Sequence, residues 1–147
     1  MTPLFFGFDH VDVRVRSLAA VEAFYDALLP ELGLPAKSFS FVAADGTWSD
    51  SSAHERYNTV EYSERSGEPR AQRFIGFIED PAMRPVATRI AFALSSASEV
   101  RAWAARLEAL GAREVESDDD FDNYPAVFFE DPAGTRLELC ARRAVRP

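Results

Sequence analysis

HVDVRVRSLAAVEAFYDALLPELG, from His10 to Gly33, and RIAFALSSASEVRAWAARLEALG, from Arg89 to Gly111, are two copies of one pattern. Val11, Val13 and Val15 match Ile90, Phe92 and Leu94 at a separation of 79 positions, and Ser17, Val21, Phe24 and Leu28 match Ser96, Val100, Trp103 and Leu107 at the same separation. One extra residue near Pro30 brings Gly33 onto Gly111. An internal repeat of this kind means one structural unit used twice. Each copy reads as a strand followed by a helix. The alternation Val11, Val13, Val15 has the period of two of a strand with one buried face. Val21, Phe24, Tyr25, Leu28 and Leu32, and in the second copy Val100, Trp103, Ala104, Leu107 and Leu110, stand at helical spacing. Ser96 and Glu99 have capping-box spacing. Gly33 and Gly111 sit where a helix closes in a left-handed residue. Pro30 lies inside the first helical pattern, so that helix bends or ends early.

Strand-like sequence follows each helix: Ser38 to Ala43, Tyr57 to Tyr62 and Arg73 to Glu79 in the first half, and Arg113 to Glu116, Ala126 to Glu130 and Arg136 to Cys140 in the second. Asp131-Pro132-Ala133-Gly134 joins the last two as a turn. Each half therefore reads β-α-β-β-β. The expected organisation is a single domain over 1–147, built from a module over 8–79, a connection over 80–87 and a module over 88–141. The polar stretches Ala44 to Arg56 and Ser117 to Pro125 read as solvated loops. The aspartates of the latter, Asp118, Asp119, Asp120 and Asp122, read as charged surface rather than a cation site.

The chain has 147 residues, 47% of them apolar, with 16 Lys+Arg against 24 Asp+Glu and a net charge of −8. That length suits one compact core without disulfides. The acidic balance speaks against nucleic acid and against anionic membrane surfaces as partners. No apolar run reaches the roughly 18 residues that span a bilayer. Met1 to Asp9 carries no Lys or Arg and does not read as a signal peptide. The single Cys140 has no disulfide partner in the chain, which fits a reducing, cytoplasmic setting.

DHVDVRV with FYDALLPELG, then RIAFAL with a helix ending in ALGA, then FFEDPAGTRLEL, resemble in this order and spacing the vicinal oxygen chelate superfamily, the glyoxalase, bleomycin-resistance and extradiol dioxygenase group. The resemblance covers roughly Phe8 to Cys140. It implies an α+β fold in which two tandem β-α-β-β-β modules form a curved mixed sheet around a pocket, with the helices outside. It also implies a small-molecule ligand and a homodimer as the assembly. A divalent metal (Zn, Mn, Fe, Co or Ni) is often held on the first and last strands of each module. Carried over by position, those places are His10, a residue within Phe74 to Phe77, Arg89 and Glu138. Arg89 cannot ligate a metal because its guanidinium offers only donors. Phe74-Ile75-Gly76-Phe77 has no usable side-chain donor atom. The fold fits better than the metal.

Strand parity argues for a site independently. With Val11, Val13 and Val15 under the helix, His10, Asp12 and Arg14 face the other side; Arg89, Ala91 and Ala93, and Arg136, Glu138 and Cys140, follow by the same rule. His10, Arg89 and Glu138 are thus expected on one polar face, with Ala91 and Ala93 leaving room for a ligand. His10 is a metal ligand or a strand-opening residue bonded to a neighbour. His54 reads as an exposed loop histidine. Glu138 has three open readings: metal ligand, general base, or ion-pair partner of Arg89. Arg89, Arg14, Arg136 and Tyr124 are the candidate substrate contacts, with ion pairing the competing role for Asp12, Arg14 and Arg136. Tyr57 and Tyr62 read as pocket or core residues, and Cys140 as a small buried one.

The expected function is small-molecule binding, with catalysis open, on a scaffold with an altered metal site and a ligand that is small and anionic or carbonyl-bearing. Three readings remain at this level. The first is a metal-dependent lyase/isomerase or dioxygenase using His10 and Glu138. The second is a metal-free binding or resistance-type sequestering protein in which Arg89 replaces the metal's charge. The third is a metal-free lyase or isomerase with Glu138 as base and Arg89 stabilising an oxyanion.

Overall fold

A computed structural model describes residues 7–65, 67 and 72–142. Most of the Met1 to Asp9 stretch, read above for a targeting signal, lies outside the described residues. The first half forms β1 (His10–Val15), α1 (Leu18–Leu28), β2 (Ala36–Val42), β3 (Trp48–Ser51), β4 (Thr59–Ser63) and β5 (Phe74–Glu79). The second forms β6 (Arg89–Ala93), α2 (Ala97–Leu107), a 3₁₀ turn (Glu108–Leu110), β7 (Arg113–Ser117), β8 (Ala126–Glu130) and β9 (Arg136–Cys140). Among the described residues no helix is long and apolar enough to cross a membrane.

The strands make two mixed sheets, a five-stranded one in the order β1-β5-β4-β2-β3 and a four-stranded one in the order β6-β9-β8-β7. In each, the opening strand lies parallel beside the closing strand, β1 on β5 and β6 on β9, and the other pairings are antiparallel. The α+β class with two β-α-β-β-β modules is thereby observed. One expectation is corrected. The stretch Ala44 to Arg56 is not all loop, because Trp48–Ser51 forms β3 and pairs with β2 from Val42↔Trp48 to Phe39↔Ser51. Its Ser and Asp residues carry no apolar alternation, as suits a short polar edge strand.

Local signals behave as their chemistry dictates. Ser96 accepts from the Glu99 N–H, and the Glu99 carboxylate accepts from the Ser96 N–H, closing the capping box. α1 stops at Leu28, short of Pro30, whose missing N–H cannot continue the ladder. Gly33 and Gly111 adopt φ of +97° and +103°, the left-handed conformation that glycine takes without steric cost. The start of α1 is held by a carboxylate from elsewhere: the Leu18 N–H donates to Glu79 Oε2 at 2.9 Å, placing a negative charge at the helix's positive end.

The described residues fall into two compact units, one within Met1–Leu18 and Leu28–Met83, the other within Ala19–Ala27 and Arg84–Pro147. The middle of α1, encoded in the first repeat, therefore belongs with the second unit. There Phe24 meets Phe129 edge-on with centroids 6.4 Å apart. The Tyr25 hydroxyl donates to Asp131 Oδ2 at 2.6 Å. Asp131 is wholly buried, and its other oxygen accepts from the Ala133 and Thr135 N–H groups at 2.8 and 2.9 Å. A buried carboxylate persists only when such donors replace its water. Asp131→Ala strands the buried Tyr25 hydroxyl and two half-buried N–H groups, so urea unfolding should show a loss of about 3 kcal/mol, with Tyr25→Phe losing about 1 kcal/mol. An unchanged midpoint in Asp131→Ala would show that this carboxylate does not hold the helix.

Candidate functional site

The second sheet brings Ala91, Ala93, Glu138 and Cys140 into neighbouring rows. Cross-strand register aligns Ala91 with Glu138 and Glu138 with Phe128 in one row, and Ala93 with Cys140 and Cys140 with Ala126 in the next. Because Ala91 and Ala93 project only methyl groups, this end of the sheet is hollow. A recess of about 490 Å³ lies there, lined by Ala91, Ala93, Leu94, Tyr124, Cys140 and Arg142. That volume falls within the usual range for small-molecule sites. Tyr124 is placed by the loop before β8, where its N–H donates to the Asp120 carbonyl at 2.8 Å. Asp120 in turn holds the Asn123 side chain with both carboxylate oxygens. The aspartate run thus shapes the loop that delivers Tyr124.

Glu138 is 7% exposed, and its Oε1 accepts the Tyr124 hydroxyl at 2.5 Å. Bonding to this carboxylate, followed by burial, pushes the Tyr124 phenol up to about 12. Burial first, and then the charge of Glu138, raise the Cys140 thiol above its ordinary range. Cys140 is therefore a thiol wall rather than a thiolate nucleophile. Arg142, just beyond β9, is the exposed cation at the recess edge. Sequence reasoning passed over it because it follows the last strand and belongs to no pattern.

Arg89 and Glu138 do not form the ion pair weighed above. Arg89 stands opposite Arg136 in the register, and its guanidinium lies over the Phe128 ring, 4.6 Å from the centroid. It opens β6, two residues before Ala91, the first residue of that strand to line the recess, and is not itself among the lining residues. Arg136 is exposed at the start of β9, and Glu130 opposite it pairs with Arg113 at 3.0 Å. Arg14 is exposed on β1. His54 is exposed in its loop, as expected.

His10 and Asp12 lie in the first sheet, on the face opposite the buried Val13 and Val15. His10 Nδ1 is 2.6 Å from Asp9 Oδ1, and Nε2 is 3.8 Å from Asp12 Oδ2. The ring stacks on Phe74 with centroids 4.5 Å apart and planes 4° from parallel. Chiefly through the Asp9 hydrogen bond, and further through the charges of Asp12, Asp9 and Glu61, its pKa is raised above 6.5. At the second family place, Gly76 sits so close to Asp12 that a Cβ would meet Oδ1 at 2.8 Å.

The four positions implied for a divalent metal do not fit one. His10 Nδ1 is bonded to Asp9, Phe74 to Phe77 has no ligating side chain, Arg89 is a cation on an aromatic face, and Glu138 Oε1 is engaged by Tyr124. Among the described residues, no group of three or more His, Cys, Asp or Glu could hold a metal ion.

Two titrations check this geometry. Imidazole NMR signals of His10 should show a midpoint above 6.5, moved down in Asp9→Asn. Because the folded value is raised, any stabilisation from this pair is complete at acid pH and is lost as pH rises through the folded midpoint. Ultraviolet titration of the 4 tyrosines should resolve one group near pH 12, and Glu138→Gln should return it toward 10. By the same linkage, the Tyr124 contribution is present below pH 10 and disappears as pH climbs through its raised value. A Tyr124 signal already titrating at 10 in the native protein would rule out the short bond.

The model of the Glyoxalase/Bleomycin resistance protein/Dioxygenase superfamily matches residues 7–139. No curated protein matches the sequence. A glyoxalase/bleomycin resistance protein from Albidiferax ferrireducens T118 is 26% identical, with a TM-score of 0.60, covering 92% of this chain and 98% of that one. The fosfomycin resistance protein FosX from Listeria monocytogenes shares the fold at 16% identity and a TM-score of 0.62, covering 98% and 97% of the two chains. A glutamate-to-glutamine mutant of FosX, complexed with Mn(II) and 1S,2S-dihydroxypropylphosphonic acid, is 18% identical with a TM-score of 0.57, and 96% of each chain is covered. Two modules that each set a closing strand parallel beside an opening one, matched along nearly the whole length, place this chain in the Glyoxalase/Bleomycin resistance protein/Dioxygenase superfamily.

Proposed function

We propose that the chain binds a small anionic molecule in the recess of the second sheet without a metal ion, Arg142 supplying the positive charge. The observation that carries this reading is the lining itself: two alanines and a leucine make a small apolar floor, and one arginine stands at its edge beside a tyrosine and a thiol. A guanidinium at the mouth of an apolar cavity matches carboxylate, phosphate or phosphonate groups in charge and in its forked geometry. The metal readings lose support from the donor chemistry at His10, Arg89 and Glu138. The FosX complex contains a small phosphonic acid together with Mn(II). A small oxyanion is therefore a ligand type this fold accommodates.

Arg89, proposed from sequence as the substitute cation, supports binding less directly than Arg142 because it is seated on Phe128. A second reading, a metal-free lyase or isomerase with Glu138 as base, draws support from the burial of Glu138 next to the recess wall. Calorimetric titration with small aromatic and aliphatic carboxylates and phosphonates tests the proposal. Binding should persist in excess chelator and weaken at least about tenfold in Arg142→Ala, the scale of a lost charge-assisted hydrogen bond, while Arg14→Ala leaves it unchanged. Equal affinity in Arg142→Ala for every ligand that binds would refute the assigned role.

A further inference from the structure

We infer that the recess selects acids that also carry an O–H or N–H group, which donates a hydrogen bond to the Tyr124 oxygen. The inference rests on the anion-binding reading above and adds a second requirement to it. A phenol has one hydrogen to give and two lone pairs to offer. The Tyr124 hydrogen is already committed to Glu138 Oε1 at 2.5 Å, and Glu138 is buried. For Tyr124 to donate to a ligand instead, it would have to abandon a desolvated carboxylate, which costs more than an ordinary hydrogen bond returns. Tyr124, a lining residue of the recess with Cys140 beside its hydroxyl, therefore has only acceptor character left to offer a ligand there.

The other walls sharpen the choice. Ala91, Ala93 and Leu94 offer only apolar surface, and the Cys140 thiol is a weak donor lying beside both Tyr124 and Glu138. Among the described residues Arg142 is the one strong side-chain donor in the lining, and it takes the anionic group. A ligand carbonyl brought against Tyr124 sets lone pair against lone pair. A hydroxyl, amide or ammonium group at the same place completes a chain from ligand to Tyr124 to Glu138, in which each bond polarises the next. The favoured class is thus hydroxy acids, N-acylated amino acids and their phosphonate counterparts, with a compact apolar body. Keto acids and plain acids of the same size are disfavoured.

Mandelate, benzoylformate and phenylacetate test this on the intact protein, because they share a ring and a carboxylate and differ only in hydroxyl, ketone or hydrogen at one carbon. Mandelate should bind about tenfold or more tightly than the other two, since a site built around a polar partner rejects analogues that lack it. Tyr124→Phe should shrink that gap to about twofold while changing phenylacetate affinity little. Should that variant fail to fold, the near-ultraviolet tyrosine band of the native protein reads the same contact, and mandelate should perturb it where phenylacetate does not. Equal affinities, or benzoylformate binding best, with all binding lost in Arg142→Ala, overturn the donor requirement and leave the anion site standing. Binding by none of the three overturns both.

Discussion

A single buried carboxylate organises the second unit. Asp131 opens the Asp-Pro-Ala-Gly turn, and with one oxygen it accepts from two backbone N–H groups of that turn while the other holds Tyr25 of α1. The turn fixes the register of β8 against β9, and that register places Phe128 opposite Glu138 and Ala126 opposite Cys140. A slip of one residue would send Glu138 to the helix side and Leu137 to the recess. The polar face is therefore a consequence of a turn several residues away. The same carboxylate seats the middle of a helix that the first repeat encodes, so the repeat boundary in sequence and the packing boundary in space do not coincide.

That mismatch explains what could be read from the chain and what could not. Strand parity was legible because Val13 and Val15, or Leu137 and Leu139, have only one apolar side to face. The capping box at Ser96 and the helix stop before Pro30 were legible because each is a local hydrogen-bond rule. β3 was hidden because an edge strand of Trp, Ser and Asp pairs through its backbone, which composition does not report. The Arg89–Glu138 pair failed for a reason of register. Parity says which face a residue takes but not which residue lies beside it, and Arg136 rather than Glu138 stands next to Arg89. Left opposite a like charge, the guanidinium settles on the Phe128 face, where a planar cation is stabilised without a carboxylate. Arg142 carried no signal because a cation after the final strand acquires meaning only once Ala91 and Ala93 are seen to leave a hollow beside it.

The places that the family resemblance implies for a metal carry other interactions here. His10 is clasped by Asp9 and stacked on Phe74; Gly76 leaves a gap that the Asp12 carboxylate approaches; Glu138 takes the Tyr124 proton donor. The fold is retained because its stability lies in the buried strand faces and the Asp131 turn, none of which involves the metal positions. Site chemistry can therefore drift while architecture stays fixed.

The acidic balance of the chain looks at first opposed to binding an anion. Screening decides the matter, because at physiological ionic strength charges on the surface lose their reach beyond about 8 Å. The excess carboxylates around Asp118 to Asp122 sit in a loop in contact with solvent, whereas Arg142 stands at the recess itself. The carboxylate nearest the recess wall is Glu138, and Tyr124 stands between it and the cavity with its hydrogen turned toward Glu138. One hydrogen bond thus does two things: it compensates a buried charge and it directs acceptor character toward the ligand. On the proposed reading, selection falls to contacts made at hydrogen-bond distance, where Arg142 would fix the anion and Tyr124 would read what is attached to it.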